Sequence, residues 1–156
     1  MNTTTVLLII HGLLAVALLG AITHQVLSVL APARKPAASF AGRFRAVSGA
    51  SYSNAIVVLY LLTAILGGII YATYRIEVRV VIEQLEMWPA HGAFELKEHL
   101  AALGLGILPA YWYYWRQPLV AEHARTRCIL TAMLAFIVWW NFLVGHVLNN
   151  IRGFGS

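Results

Sequence analysis

Four long apolar stretches are the feature that most constrains this chain. They cover residues 6–30, 52–74, 98–115 and 128–148, and the first reads VLLIIHGLLAVALLGAITHQVLSVL. A helix needs roughly 20 mostly apolar residues to cross a bilayer. Inside lipid a helix also satisfies its own backbone hydrogen bonds. The sequence therefore predicts an all-α integral membrane protein, a single domain over residues 1–156 built as a four-transmembrane-helix bundle.

The composition agrees with a membrane class and excludes several others. The chain is 60% hydrophobic and 11% charged, whereas soluble domains carry roughly 25% charged residues. The single cysteine, Cys128, excludes an internal disulfide and a multi-cysteine metal site. The net charge of +5 is explained by the loops rather than by nucleic acid. The partner that the composition predicts is the lipid bilayer.

The loop charges predict an orientation. Seven of the eleven basic residues lie in the first and third loops: Arg34, Lys35, Arg43, Arg45, Arg116, Arg125 and Arg127. Five of the six glutamates lie in or beside the middle loop. Since basic loops stay on the cytoplasmic side, we expect both termini and the middle loop outside. The expected location is the bacterial inner (cytoplasmic) membrane, with periplasmic termini and several passes.

The middle loop has the pattern of an amphipathic segment. The stretch RIEVRVVIEQLEMWPAHGAFELKEH alternates apolar and charged residues and contains Trp88. We expect it to lie at the outer membrane surface between the second and third helices. Pro89 and Gly92 are expected to end it before the third helix begins near Glu98. Glu95 and Glu98 would then lie in the first turn of that helix, where its dipole favours acids.

Three histidines from three predicted helices lie at a similar depth near the outer face. His11 is early in the first helix, His99 opens the third, and His146 is near the end of the fourth. Ionisable residues inside a membrane are costly and point to function. Neutral imidazole binds haem iron, copper and zinc. The three histidines therefore predict a site for haem b, with copper, or no cofactor at all, as the alternatives.

Nearby residues extend this predicted site. Glu95 precedes His99 by four residues and is placed to orient its ring as a hydrogen-bond acceptor. Lys97 and Arg75 are placed to pair with haem propionates at the membrane surface. Phe142 shares a helix face with His146.

Each of these residues also has a purely structural interpretation. Histidines near helix ends tolerate the membrane interface, and a single deeper histidine is an ordinary buried residue that bonds a backbone carbonyl. A lysine near a helix end extends its ammonium to the lipid headgroups. The sequence leaves these alternatives open.

Several stretches resemble a known family. A histidine lies early in the first helix, IIHGLLAVALLGAI, and a basic stretch follows it. A tyrosine-led second helix, SYSNAIVVLYLLTAILGG, and a lysine opening the third, FELKEHL, complete the pattern. This layout resembles the HemJ-type protoporphyrinogen oxidases and the related copper-resistance D-like membrane domains. The resemblance implies four helices, His11 as an axial haem ligand and Lys97 as part of the site.

Three functional hypotheses follow from the sequence. The first is a membrane redox protein that binds b-type haem near the outer face and transfers electrons, with a quinol or other membrane subunits as partners. The second is a cofactor-free structural or accessory subunit of a membrane complex. The third is proton or small-solute transport, for which the spans offer His24 and tyrosines.

Overall fold

The computed structural model describes residues 2–30, 39–40, 43 and 47–154, with side chains described up to residue 150. The basic residues Arg34, Lys35 and Arg45 of the first loop lie outside the described residues.

The described part of the chain contains helices and no strand. Five α-helices follow one another: α1 Thr3–Leu30, α2 Ser53–Glu77, α3 Arg79–Gln84, α4 Trp88–Arg116 and α5 Ala124–Phe154. Short 3-10 turns, Gly49–Tyr52 and Ala121–His123, lead into α2 and α5. The predicted all-α class is confirmed.

Three helical stretches of the described residues are long and apolar enough to cross a membrane. They are Thr3–Leu30, Gly49–Glu77 and Ala121–Asn150. These helices fit contact with a lipid bilayer and a multi-pass membrane protein. Helix α4 is as long as the others, but charges occupy its first half and Tyr and Trp its last turns. The fourth transmembrane span, at residues 98–115, therefore stays a prediction.

The start of α4 corrects one expectation. The helix begins at Trp88, runs through Gly92 and continues through Pro109. Pro89 lies in the first turn, where the N–H that proline lacks has no partner in any helix. Glu95 and Glu98 consequently lie about two and about three turns from the helix start. The expectation that they cap the helix was wrong, because the dipole acts only within the first turn.

The four long helices pack in an antiparallel ring. Each contacts two neighbours, in the order α1, α2, α4, α5 and back to α1. His11, near the start of α1, lies against Gly67 in the second half of α2, and Lys97 in the first half of α4 lies against Gly145 near the end of α5. Consecutive long helices therefore run in opposite directions. One end of the bundle combines the start of α1 and α4 with the end of α2 and α5.

The fully buried residues concentrate in one half of this bundle. They lie late in α1, early in α2, late in α4 and early in α5, with Ala90 as an exception. We call this part the Gln25 half, after Gln25, which is 0% exposed. We call the other end the His11 half; it contains His11, Gly67, Lys97 and Gly145, all only half-buried.

Candidate functional site

Polar groups in the interior of the Gln25 half are bonded to one another. The Gln25 Nε2 donates to the Gly49 carbonyl oxygen at 2.9 Å, and the Tyr111 hydroxyl donates to Gln25 Oε1. The Trp115 Nε1 donates to Thr131 Oγ1 at 3.0 Å. Buried polar groups are stable when they are paired in this way, so this network fixes the helices without a ligand.

An apolar layer separates the two halves. It consists of Leu18, Ile22, Ile56, Leu108, Leu134 and Val138, all buried. The Tyr60 hydroxyl closes the layer toward the His11 half by donating to the Ala101 carbonyl oxygen at 3.0 Å. The hydroxyl fits because residue 104 is glycine; a Cβ there would collide with the Tyr60 ring and oxygen.

His11 lies on the interior face of α1. It precedes buried Leu18, Ile22 and Gln25 by 7, 11 and 14 residues, a spacing that places all four on one side of a helix. A Cβ on Gly67 of α2 would lie 3.3 Å from His11 Cε1. The His11 Nδ1 atom is buried without a hydrogen-bond partner. The Thr63 backbone is close enough to act on the ring, but it does not reach hydrogen-bond geometry with Nδ1.

Lys97 lies on the interior face of α4. The buried residues of this face follow it at helical spacing: Gly104, Leu108, Tyr111 and Trp115. Its Cε would be 3.4 Å from a Cβ on Gly145, and its Nζ lies 5.3 Å from the centre of the Phe94 ring. Among the described residues no carboxylate lies within ion-pair distance of Lys97. The ammonium and the His11 ring act on each other electrostatically, and the Glu98 carboxylate acts on the ammonium without reaching ion-pair distance.

Three aromatic rings line the same end of the bundle. The Tyr74 and Phe94 rings stack with centroids 3.9 Å apart and planes 13° apart, and Tyr71 stacks on Phe94 at 6.1 Å. The Tyr74 hydroxyl oxygen is buried without a hydrogen-bond partner. Among the described residues of the His11 half, the His11 Nδ1 and the Tyr74 hydroxyl are therefore interior polar atoms without a hydrogen-bond partner.

A charged cluster lies at the outer end of this half, where α3 meets the start of α4. The Arg79 Nε donates to Glu83 Oε1 at 2.8 Å, and Arg79 Nη2 lies 3.8 Å from Glu95 Oε1. The His91 Nε2 lies 3.2 Å from Glu95 Oε1 and 3.8 Å from Glu83 Oε1. The hydrogen bond from Arg79 holds the pKa of the Glu83 carboxyl below its ordinary value. This cluster ties α3 to α4 across the interhelical turn.

Of the three predicted histidine ligands, the structure places only His11 in the interior. His99 is exposed, and its Nδ1–H donates to the Glu95 backbone carbonyl oxygen at 2.7 Å. Glu95 thus contacts His99 through its backbone, while its carboxylate faces His91 and Arg79. His146 is exposed, and its ring is parallel to Phe142 at 6.4 Å.

The described residues contain no group of three or more His, Cys, Asp or Glu side chains arranged to hold a metal ion. His11, His99 and His146 therefore do not form a three-ligand cluster. A haem requires only one axial ligand from the protein, and His11, with its unpartnered nitrogen, fits that requirement.

Sequence reasoning missed several residues of this end. Arg79, rather than Arg75, interacts with Tyr71 and lies next to Glu83; Arg75 is exposed at the end of α2. The pairing of His11 with Gly67, and of Lys97 with Gly145, depends on which helices are neighbours. His11 and Lys97 were predicted as site residues. Their interior orientation follows from the helical period of the buried residues on α1 and α4, which extends to both positions.

Comparison of this chain with family models, with curated proteins and with solved structures gives no match.

Proposed function

We propose that this chain is a multi-pass membrane protein that binds one haem b in the His11 half, with His11 as the axial ligand. The single observation that carries the proposal is the contrast between the two interiors. The polar groups Gln25, Tyr111, Trp115 and Thr131 bond to protein partners in the Gln25 half, whereas in the described part of the His11 half the His11 Nδ1 and the Tyr74 hydroxyl lack them. Unsatisfied polar groups in a native interior require an explanation, and a ligand with matching chemistry supplies one.

Haem b matches these groups in kind. The lone pair of His11 suits ferrous or ferric iron. The Lys97 ammonium suits a propionate carboxylate, and the Tyr74 hydroxyl suits a propionate oxygen. The apolar faces of the stacked aromatic rings suit a flat macrocycle. When bound, the haem supplies a one-electron redox change at the iron, which makes electron transfer the expected activity.

The residues of the chain divide the work of binding. His11 holds the iron and sets its orientation against α2. Lys97 compensates the charge of the propionate in a half-buried setting, where an ion pair is stronger than in water. The apolar layer beside Tyr60 confines the haem to the His11 half and excludes water from the side of the Gln25 half.

The proposal includes an orientation in the membrane. By the positive-inside rule, the His11 half lies at the periplasmic side of a bacterial inner membrane, and residues 98–115 of α4 form the fourth span. In a Cys128→Ser background, Asn2→Cys is expected to react with a membrane-impermeant maleimide on intact spheroplasts. Glu122→Cys is expected to react only after permeabilisation, and the opposite pattern would reverse the orientation.

The test of haem binding uses the full chain purified in detergent from haem-supplemented cells. Reduced-minus-oxidised spectra and the pyridine haemochrome are expected to show about one haem b per chain. His11→Ala is expected to lose this haem, and added imidazole to restore part of it. His123→Ala, far from the site, is the matched control and should bind haem like the parent chain. A folded, monodisperse protein without haem would contradict the proposal.

A second variant tests the role of Lys97. Removal of a charge-assisted hydrogen bond costs about 1.5 kcal/mol, so Lys97→Met is expected to raise the dissociation constant for haem about tenfold. Arg75→Met, which removes an exposed cation, should leave it unchanged. Equal effects of the two changes would mean that the propionates lie at the surface rather than beside Lys97.

One observation favours the alternative of an accessory subunit. Helix α4 is not among the helices apolar enough to span alone, and its outer face carries an open depression lined by His99, Ala102, Leu103, Gly106 and Ile107. Small residues allow close helix packing in membranes, so this face suits a partner helix. A stable larger assembly that survives purification and tolerates His11→Ala would support this function instead.

A further inference from the structure

The six histidines of the chain are all described, and their placement bears on how the iron would be held. His24 is buried in the Gln25 half against Tyr52, 13 residues or about 20 Å along α1 from His11. His91 belongs to the charged cluster with Glu83 and Glu95. His123 lies in the turn before α5, beside Tyr114.

His99 points away from the interior that His11 faces. It follows Lys97 by two positions, which corresponds to a rotation of about 200° around α4. Since Lys97 continues the buried face of this helix, His99 lies on the opposite face. The depression that His99 lines contains residues of α4 alone, so no other described helix covers it.

His146 is turned away in a similar manner. It follows Gly145, which faces Lys97, by one residue or about 100° around α5. Its side chain is exposed and lies parallel to Phe142 of the same helix. Neither outward histidine reaches the interior without rotation of its helix, and that rotation would expose the buried faces of α4 or α5.

We infer that the haem iron held by His11 receives no second histidine from this chain and keeps one coordination position for a small exogenous ligand. This inference rests on the proposed function and specifies it. The ligand class is a small neutral molecule that binds iron, for which carbon monoxide and imidazole are probes. A second histidine ligand would have to leave the iron before a small molecule could bind, whereas an open position would admit one directly.

Lys97 is the interior residue whose chemistry suits a contact with a molecule bound at this position. Its ammonium has three N–H donors and no lone pair, so in its charged form it does not bind iron. It is instead a hydrogen-bond donor toward the ligand or a propionate, and its Cε packs against Gly145, where a Cβ would lie 3.4 Å away. Lys97→Met therefore separates a role as donor from a role as iron ligand.

The experiment compares four purified full-length proteins: the parent chain, His99→Ala, His146→Ala and the double variant. Ferric electron paramagnetic resonance is expected to show a high-spin axial signal in all four. Carbon monoxide is expected to convert essentially all of the ferrous haem in each, with dissociation constants that agree within about twofold. Because His99 and His146 are exposed, these changes should leave folding intact, and size-exclusion chromatography checks this.

Several results would overturn the inference. A low-spin ferric spectrum in the parent chain would do so, and loss of that signal in His99→Ala or His146→Ala would identify the second ligand. A low-spin signal that disappears in Lys97→Met would assign the position to the lysine amine and overturn it as well. If the second histidine came from another copy of the chain, the low-spin signal would accompany the dimer fraction only. Absence of haem from all four proteins would instead refute the proposed function itself.

Discussion

The two halves of this bundle are built from the same four helices and differ in how their interiors are satisfied. In the Gln25 half, Gln25, Tyr111 and Thr131 are buried and hydrogen-bonded to other parts of the chain. In the His11 half, His11 and Tyr74 are only half-buried, and the His11 Nδ1 and the Tyr74 hydroxyl lack such partners. A membrane protein gains little from apolar burial between its helices, because lipid is equally apolar. Polar pairs and close packing therefore hold the Gln25 half together, whereas the proposed haem would supply the missing partners in the His11 half.

The largest expected effect tests the boundary between the halves. Gly104→Ala places a methyl group where the Tyr60 ring and hydroxyl lie, so Tyr60 must move and its bond to Ala101 is lost. We expect a loss of about 2–3 kcal/mol in stability, from overpacking and the broken hydrogen bond. The measurement is the apparent melting temperature in detergent.

Gly106→Ala is the matched control, because a Cβ at residue 106 meets nothing within 4 Å. It should leave the melting temperature within about one degree of the parent or raise it slightly, since alanine favours the helix. Equal effects of the two changes would mean that Tyr60 does not form the boundary.

The next effect tests the network of the Gln25 half. Tyr111→Phe removes the donor to Gln25 and leaves the buried Oε1 without a partner. The expected cost is about 1–2 kcal/mol in the free energy of unfolding. Tyr113→Phe, at a position 57% exposed, should cost less than about 0.5 kcal/mol. Equal stability of the Tyr111→Phe and Tyr113→Phe proteins would contradict this prediction.

In the His11 half, we expect the removal of a polar group to raise the stability of the haem-free protein rather than lower it. Lys97→Met keeps the length of the side chain and removes a half-buried ammonium that forms no ion pair within contact distance, so the haem-free protein should become more stable by about 1 kcal/mol. Arg75→Met, at an exposed position, should change it little. Thermal unfolding of haem-free samples measures both. A destabilised Lys97→Met protein would show that Lys97 supports the fold rather than the ligand.

The smallest effect concerns pH at the charged cluster. The pKa of Glu83 is held below its ordinary value by the hydrogen bond from Arg79, so this bond contributes stability above the ordinary carboxyl pKa. The contribution is lost as pH falls through the lowered pKa in the folded state. Glu83→Gln should slightly loosen α3 at neutral pH, seen as faster amide exchange of residues 79–84, and should match the parent in acid. Protection factors of residues 79–84, which are exchange rates corrected for the base-catalysed intrinsic rate, would contradict this if they were higher in the parent in acid than at neutral pH.

Local pattern was sufficient for the helices, because the apolar stretches predicted all four long helices. The interior faces of α1 and α4, which include His11 and Lys97, were identified from the buried residues of the structure. The start of α4 was missed, because Pro89 and Gly92 read as breakers and proline in a first helical turn is instead compatible with the helix.

The sequence by itself determined an all-helical, lipid-compatible chain, because a backbone in lipid has few alternatives to the helix. It also placed three histidines at one depth along the chain. Only the tertiary structure decided that His11 faces the interior while His99 and His146 face outward. Depth follows from counting residues, but direction follows from which helices are neighbours and how each is rotated to bury Tyr60, Gly104 and Thr131. The tertiary structure also decided the neighbour of Lys97, which is Gly145, 48 positions further along the chain.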